Sequence, residues 1–187
     1  MARHTRLIAV LWLLAFVSPA AAQDAPAAPR YLPAMREVLE SMRLAPTCET
    51  LSAARARCEV RHVDAEARRE VTLTLIYSDV TDTIYLFIPR LALAAPEDET
   101  TPALLRRLME LNVALLGPKL EWDPSTYEVR LSAVLHTDSN LDRRALRSLV
   151  LTLFDVADRR QPELTRILNR GQTPPRTDGR HEDSGER

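Results

Sequence analysis

The chain has 187 residues, 45% of them hydrophobic and 27% charged, with 25 basic residues against 26 acidic ones. A net charge of −1, built from 24 Arg and the single Lys119 interleaved with acids, argues against a general nucleic-acid binder. Four glycines in the whole chain leave no room for a phosphate-cradling loop.

Arg3 and Arg6 give the N-terminus a positive start, Leu7 to Val17 is an apolar run, and Ala20-Ala21-Ala22 offers small residues for cleavage. This layout predicts a secretory signal peptide over residues 1–22, cut near Ala22, and hence a periplasmic or secreted protein. The run of 11 residues falls short of the roughly 20 that span a bilayer, so no integral membrane segment is expected after cleavage. Cleavage would leave 165 residues with 23 basic side chains against 26 acidic ones, a charge of −3. That length suits one ordinary domain. Residues 23–31, rich in Ala and Pro, read as a flexible leader. Residues 32–170 read as a single domain, and the polar segment 171–187 as a disordered tail.

In chain order, Leu32, Met35, Leu39 and Met42 recur at helical spacing, predicting a short helix from about Pro33 to Arg43. From Thr47 to Arg90 the pattern changes to period two. Cys58, Val60 and His62 alternate with charged residues, and Val71, Leu73, Leu75 and Tyr77 alternate with Thr72, Thr74, Ile76 and Ser78. Ser78 to Asp82 reads as a hairpin connection. Ile84, Leu86 and Ile88 then form a strand whose other face carries Tyr85 and Phe87, so both faces are apolar. That pattern suits a central strand or one that meets a partner.

Glu97-Asp98-Glu99 precedes a second helix, where acids favour the positive end of the dipole. Leu104, Leu108, Leu111 and Leu115 make its stripe, widened by Leu105 and Leu116. Thr101 is the expected cap, Pro102 suits the first turn, and Gly117-Pro118 stops the helix. A hairpin follows around Asp123-Pro124-Ser125-Thr126. Leu120 and Trp122 share one face of its first strand, and Tyr127, Val129, Leu131, Ala133 and Leu135 share one face of its second. Asp138-Ser139-Asn140 is expected to cap a helix from Leu141 to Arg160, broken at Gln161-Pro162, with a last helix beyond. The fold class is therefore α+β. The expectation is an antiparallel sheet of about five strands and three to four helices, in the order α-β-β-β-α-β-β-α.

Cys48 and Cys58 are the only cysteines. Export makes a disulfide between them the natural reading, with two free buried thiols or a redox-active pair as alternatives. The ten-residue spacing is not C-x-x-C, and nothing nearby lowers a thiol pKa, which counts against redox chemistry.

The stretch from Leu104 to Asn112, reading LLRRLMELN, with the hairpin Lys119 to Thr137 and the helix Leu141 to Asp158, resembles the YbjN-type domain. That domain is similar in architecture to type III secretion chaperones of the Tir-chaperone class. The resemblance is best from Leu104 to Leu164; the first half matches in element order and length alone. It implies a sheet packed by helices, frequent dimers, and the binding of protein segments rather than catalysis. Secretion chaperones of that class lack a signal peptide, and this chain departs from them there.

No catalytic, cofactor or metal constellation is legible. His62 and His136 have no second His or Cys at ligand spacing, and no G-x-S-x-G elbow accompanies the serines. Asp79 and Asp82 read as hairpin residues rather than paired acids. Asn112, polar within an apolar helix, is expected to hydrogen-bond a neighbouring backbone and fix the helix to the sheet, with a groove contact as the alternative. Trp122 is expected to anchor the sheet face, or else an interface. Tyr85, Phe87, Asn112 and Trp122 are thus the candidate interaction residues. The expected function is an exported, non-catalytic module that binds a protein partner or a second copy of itself. The alternative is a small periplasmic hydrolase or ligand-binding protein.

Overall fold

The computed structural model describes residues 28–64, 69–138 and 140–170. The expected signal peptide, most of the leader and the tail lie outside them. Among the described residues three helices, α1 (Leu32–Ser41), α2 (Thr101–Ala114) and α3 (Arg143–Asn169), accompany six strands. These are β1 (Thr47–Ser52), β2 (Arg55–Asp64), β3 (Arg69–Ser78), β4 (Thr83–Leu93), β5 (Lys119–Asp123) and β6 (Glu128–His136). They form one antiparallel sheet in the order β1-β2-β3-β4-β6-β5. The class is α+β as the periodicity indicates, with one strand more than expected and α-β-β-β-β-α-β-β-α as the order.

Alternation decides which face of the sheet is covered. Ala56, Cys58 and Val60 on β2, Leu73, Leu75 and Tyr77 on β3, Ile84, Leu86 and Ile88 on β4, and Val129 and Leu131 on β6 are almost wholly buried. They form one apolar cluster with Met35 and Leu39 of α1, Leu104 and Leu108 of α2, and Leu146, Val150 and Leu153 of α3. The helices therefore lie on one side. α3 packs on β4 and β6, α1 on α3, and α2 between α3 and β5. Ile76, Tyr85, Phe87 and Val134, of opposite parity, are absent from that cluster and point to the uncovered side.

Several local expectations are corrected. β1 is the additional strand, and its exposed residues carry no apolar alternation. Asp142, not Asp138-Ser139-Asn140, caps α3, accepting from the Arg144 and Ala145 amides at 2.8 and 3.0 Å. Thr101 is already helical; its hydroxyl donates to the Ala95 carbonyl at 2.6 Å, fixing the acidic loop before α2. Tyr127 precedes β6 at φ 60° and is 40% exposed, so it belongs to the turn. Gly117, at φ 95°, adopts the left-handed stop expected after α2.

α3 continues through Pro162 without the break expected there. Proline at 162 cannot donate to the carbonyl of Asp158, four residues back. A guanidinium nitrogen of Arg69 on β3 donates to that carbonyl instead, at 3.1 Å. The orphaned acceptor is satisfied from outside the helix, and the helix survives its proline.

Candidate protein-binding surface

The uncovered face is built by register. Ile76, Tyr85 and Val134 stand side by side across β3, β4 and β6, and Thr74, Phe87 and Ser132 form the next row. The Tyr85 and Phe87 rings stack with centroids 5.1 Å apart and planes 25° apart. Val134 is 52% exposed, and Ile76, Tyr85 and Phe87 are half-buried. The Tyr85 hydroxyl donates to Glu121 Oε2 at 3.0 Å, and the Ser132 hydroxyl donates to the other oxygen of the same carboxylate at 2.5 Å. Burial, then the Glu121 carboxylate, pushes the Tyr85 phenol above its ordinary value. It stays protonated and keeps its place as donor.

Several charges near this row are paired within the chain. Arg57 meets Glu49 at 2.7 Å and Glu59 at 3.6 Å, Arg61 meets Glu70 at 3.5 Å, and Arg130 meets Asp123 at 2.6 Å. Exposed pairs of this kind contribute only about 0–1 kcal/mol each. Ile76 and Val134 escape a sequence reading because each sits in the polar register of its strand. Set beside Tyr85 by the pairing, they become one patch.

Asn112 and Trp122 lie elsewhere. The Asn112 side chain donates to the Leu120 carbonyl at 2.9 Å and accepts from the Leu120 amide at 2.8 Å, binding α2 to β5. Lys119 donates to the carbonyls of Asn112 and Leu115, at 2.9 and 2.8 Å, and so caps the C-terminus of α2. The Trp122 indole N–H donates to the Ala94 carbonyl at 3.1 Å, while its ring packs against the core. Both side chains hold the scaffold on the helix-covered side, away from the Tyr85 patch.

Cys48 and Cys58 form a disulfide between β1 and β2, with an S–S distance of 2.04 Å. Met109 and Val113 on α2 and Leu116, two residues past its end, are 72%, 86% and 92% exposed. The spacing of Leu116 predicts a place in the buried stripe, but the helix ends at Ala114 and Leu116 is exposed.

His62 meets Asp158 at 2.9 Å and stacks on Phe154 with ring centroids 4.3 Å apart. They line a groove of about 430 Å³ with Met42, Leu44, Leu151, Asp155 and Arg159. His136 is exposed at the end of β6. Asp79 and Asp82 flank Arg30, each 3.9 Å from its guanidinium, and Asp79 accepts from the Tyr77 hydroxyl. Among the described residues no group of three or more His, Cys, Asp or Glu is placed to hold a metal ion. Among them, too, no helix is long and apolar enough to cross a membrane.

No family model matches the chain, and no curated protein matches it. Among solved structures, a chain of the crystal structure of the ExsC–ExsE complex is similar at a TM-score of 0.41 and 18% identity. The match covers 57% of this chain and 75% of that one. At that level the likeness carries no functional inference.

Proposed function

We propose that this protein is an exported, non-catalytic module that binds another protein through the uncovered face of its sheet, in the manner of the YbjN and type III chaperone-like class. One observation carries the reading. Tyr85 and Phe87, with Ile76 and Val134, form an aromatic and aliphatic patch that none of the described helices covers. Such a patch costs solubility unless something is bound there. Export rests on the N-terminal pattern of Arg3, Arg6, the run Leu7 to Val17 and the alanines before Gln23. The exposed stripe Met109, Val113 and Leu116 supports self-association as a companion activity.

Replacing Tyr85 and Phe87 with Ser tests the patch. Association, read by crosslinking in the native envelope, falls while circular dichroism is unchanged. Loss of folding with no change in association would make the two rings ordinary core.

The second reading is a small periplasmic hydrolase or ligand-binding protein, favoured by the groove that gathers His62 with Asp155 and Asp158. The groove offers the Asp155 and Asp158 carboxylates and the His62 imidazole as its reactive groups.

A further inference from the structure

Arg143, Arg147, Leu151, Asp155 and Arg159 recur every four residues on α3 and share one exposed face. Leu151 stands in the middle of it, apolar and 56% exposed. Two hollows meet at that leucine. On one side lies the groove of about 430 Å³ floored by Phe154 and the His62 ring stacked on it. Its opposite wall is Met42 and Leu44, both packed on the core. Arg43 between them, at φ 60°, turns the chain out of α1 in the left-handed region.

On the other side of Leu151 is a hollow of about 480 Å³ lined by Arg143, Arg144, Arg147 and Ser148. Arg147 is held there by the Ser41 hydroxyl, to which its guanidinium donates at 2.8 Å, and Arg143 by Glu37 at 2.7 Å. The Arg144 guanidinium meets no carboxylate among the described residues. The first amides of α3 are taken by Asp142, so an anion at this end meets side chains rather than the helix terminus. Together the hollows make one trough, cationic at one end and apolar in the middle. Its other end is closed by the Asp158–His62 and Asp155–Arg159 contacts. From Arg147 to Asp158 the helix rises about 16 Å, and an extended dodecyl chain reaches a comparable length.

We propose that this trough is a site for a single-chain anionic amphiphile, its alkyl chain along Met42, Leu44, Leu151 and Phe154 and its head group at Arg144 and Arg147. The inference goes beyond the sheet-face reading and does not depend on it; it gives the groove of the second reading a ligand class. Charge sets the orientation. Asp155 and Asp158 have partners in Arg159 and His62, whereas Arg144 has none, so the trough calls for an anion rather than a cation. A guanidinium fork matches a phosphate or carboxylate head in geometry as well as in sign. The chain then removes Leu151 from water, which an anion alone does not do. Each hollow falls within the range of about 300–1,000 Å³ usual for small-molecule sites.

The test is isothermal titration calorimetry with dodecyl phosphate, dodecyltrimethylammonium and butyl phosphate, the long probes below their micelle concentrations. Dodecyl phosphate binds one to one with circular dichroism unchanged, and the cation and the short phosphate bind about ten-fold or more weakly. The Arg144→Ala, Arg147→Ala double variant weakens dodecyl phosphate about ten-fold or more. Leu151→Asp, at an exposed position, abolishes its binding, and the Tyr85→Ser, Phe87→Ser variant binds as wild type does. No binding of dodecyl phosphate, or equal binding of the two long probes, overturns the proposal, and these arms need no variant. Equal binding of butyl phosphate ends the amphiphile and leaves a ligand site at the arginines. Loss in the sheet-face variant with retention in Leu151→Asp moves the chain to the sheet and also overturns it. Flotation with anionic phospholipid vesicles, by protein that takes up no monomer, would make the trough a membrane contact and overturn it as well. None of these outcomes alters the crosslinking test of Tyr85 and Phe87, so the two readings fail separately.

Discussion

The side-chain amide of Asn112 pairs with both backbone groups of Leu120, donating to the carbonyl at 2.9 Å and accepting from the amide at 2.8 Å. It acts as one rung of sheet ladder supplied by a helix. β5 is the outermost strand on its side, so these two bonds pair backbone groups that no further strand reaches. Asn112→Ala leaves both unpaired in a partly buried setting, at a cost of about 1–3 kcal/mol. Asn112→Asp keeps the acceptor and loses the donor, and falls between the two. Urea denaturation with unchanged m-value checks the order wild type, Asp, Ala. Equal stability of all three would remove the clamp.

Arg69 and Pro162 are coupled through the Asp158 carbonyl. Arg69→Ala strands that acceptor and breaks the contact with Asp64 at 3.0 Å, costing about 1–3 kcal/mol. In a Pro162→Ala background the helix can supply its own donor, so the same substitution costs less, by about 1 kcal/mol. A double-mutant cycle from chemical denaturation measures the difference. Strict additivity would mean that Arg69 does not compensate for the proline.

Stability falls in acid, and Glu163 contributes. Burial would raise its pKa, but the hydrogen bonds and charges of Arg107, at 2.6 Å, and Arg160, at 3.3 Å, outweigh it and hold the carboxyl below its usual 4.5. A depressed folded value means stability that is complete above the unfolded value and lost as pH falls through the folded one. The loss therefore begins near pH 4.5 and deepens below it. Glu163→Gln flattens that slope in a pH series of urea midpoints. An unchanged slope would place the acid sensitivity elsewhere.

The disulfide is checked by mass. Non-reduced protein is two hydrogens lighter than the reduced form, and reduction lowers stability by about 3 kcal/mol on the chain-entropy model. Two free thiols in protein recovered after export would contradict the pairing.

What was legible follows burial. Leu104, Leu108 and Leu111, and the alternation of Leu73, Leu75 and Tyr77, announce their elements because one face of each is dry and the other wet. β1 escapes the same reasoning because no described helix covers it: among Thr47 to Ser52 only Cys48 packs against the core. The continuity of α3 through Pro162 is invisible locally, since the donor that rescues it comes from a strand 89 residues away. Asn112 was readable as a helix-to-sheet tie, whereas its partner Leu120 was not. The exposed patch on the sheet face was half legible. Tyr85 and Phe87 stand out as aromatics on the wrong parity, but Ile76 and Val134 join them only through cross-strand register.

The measurement closest to the central claim is mild crosslinking in the native envelope, with mass spectrometry and light scattering on the recovered complex. The account predicts a stoichiometric protein partner whose crosslinks fall at the sheet face around Tyr85 and Phe87 and which the double Ser variant does not retain. A monomer with no partner, or a partner held equally by wild type and variant, would contradict it.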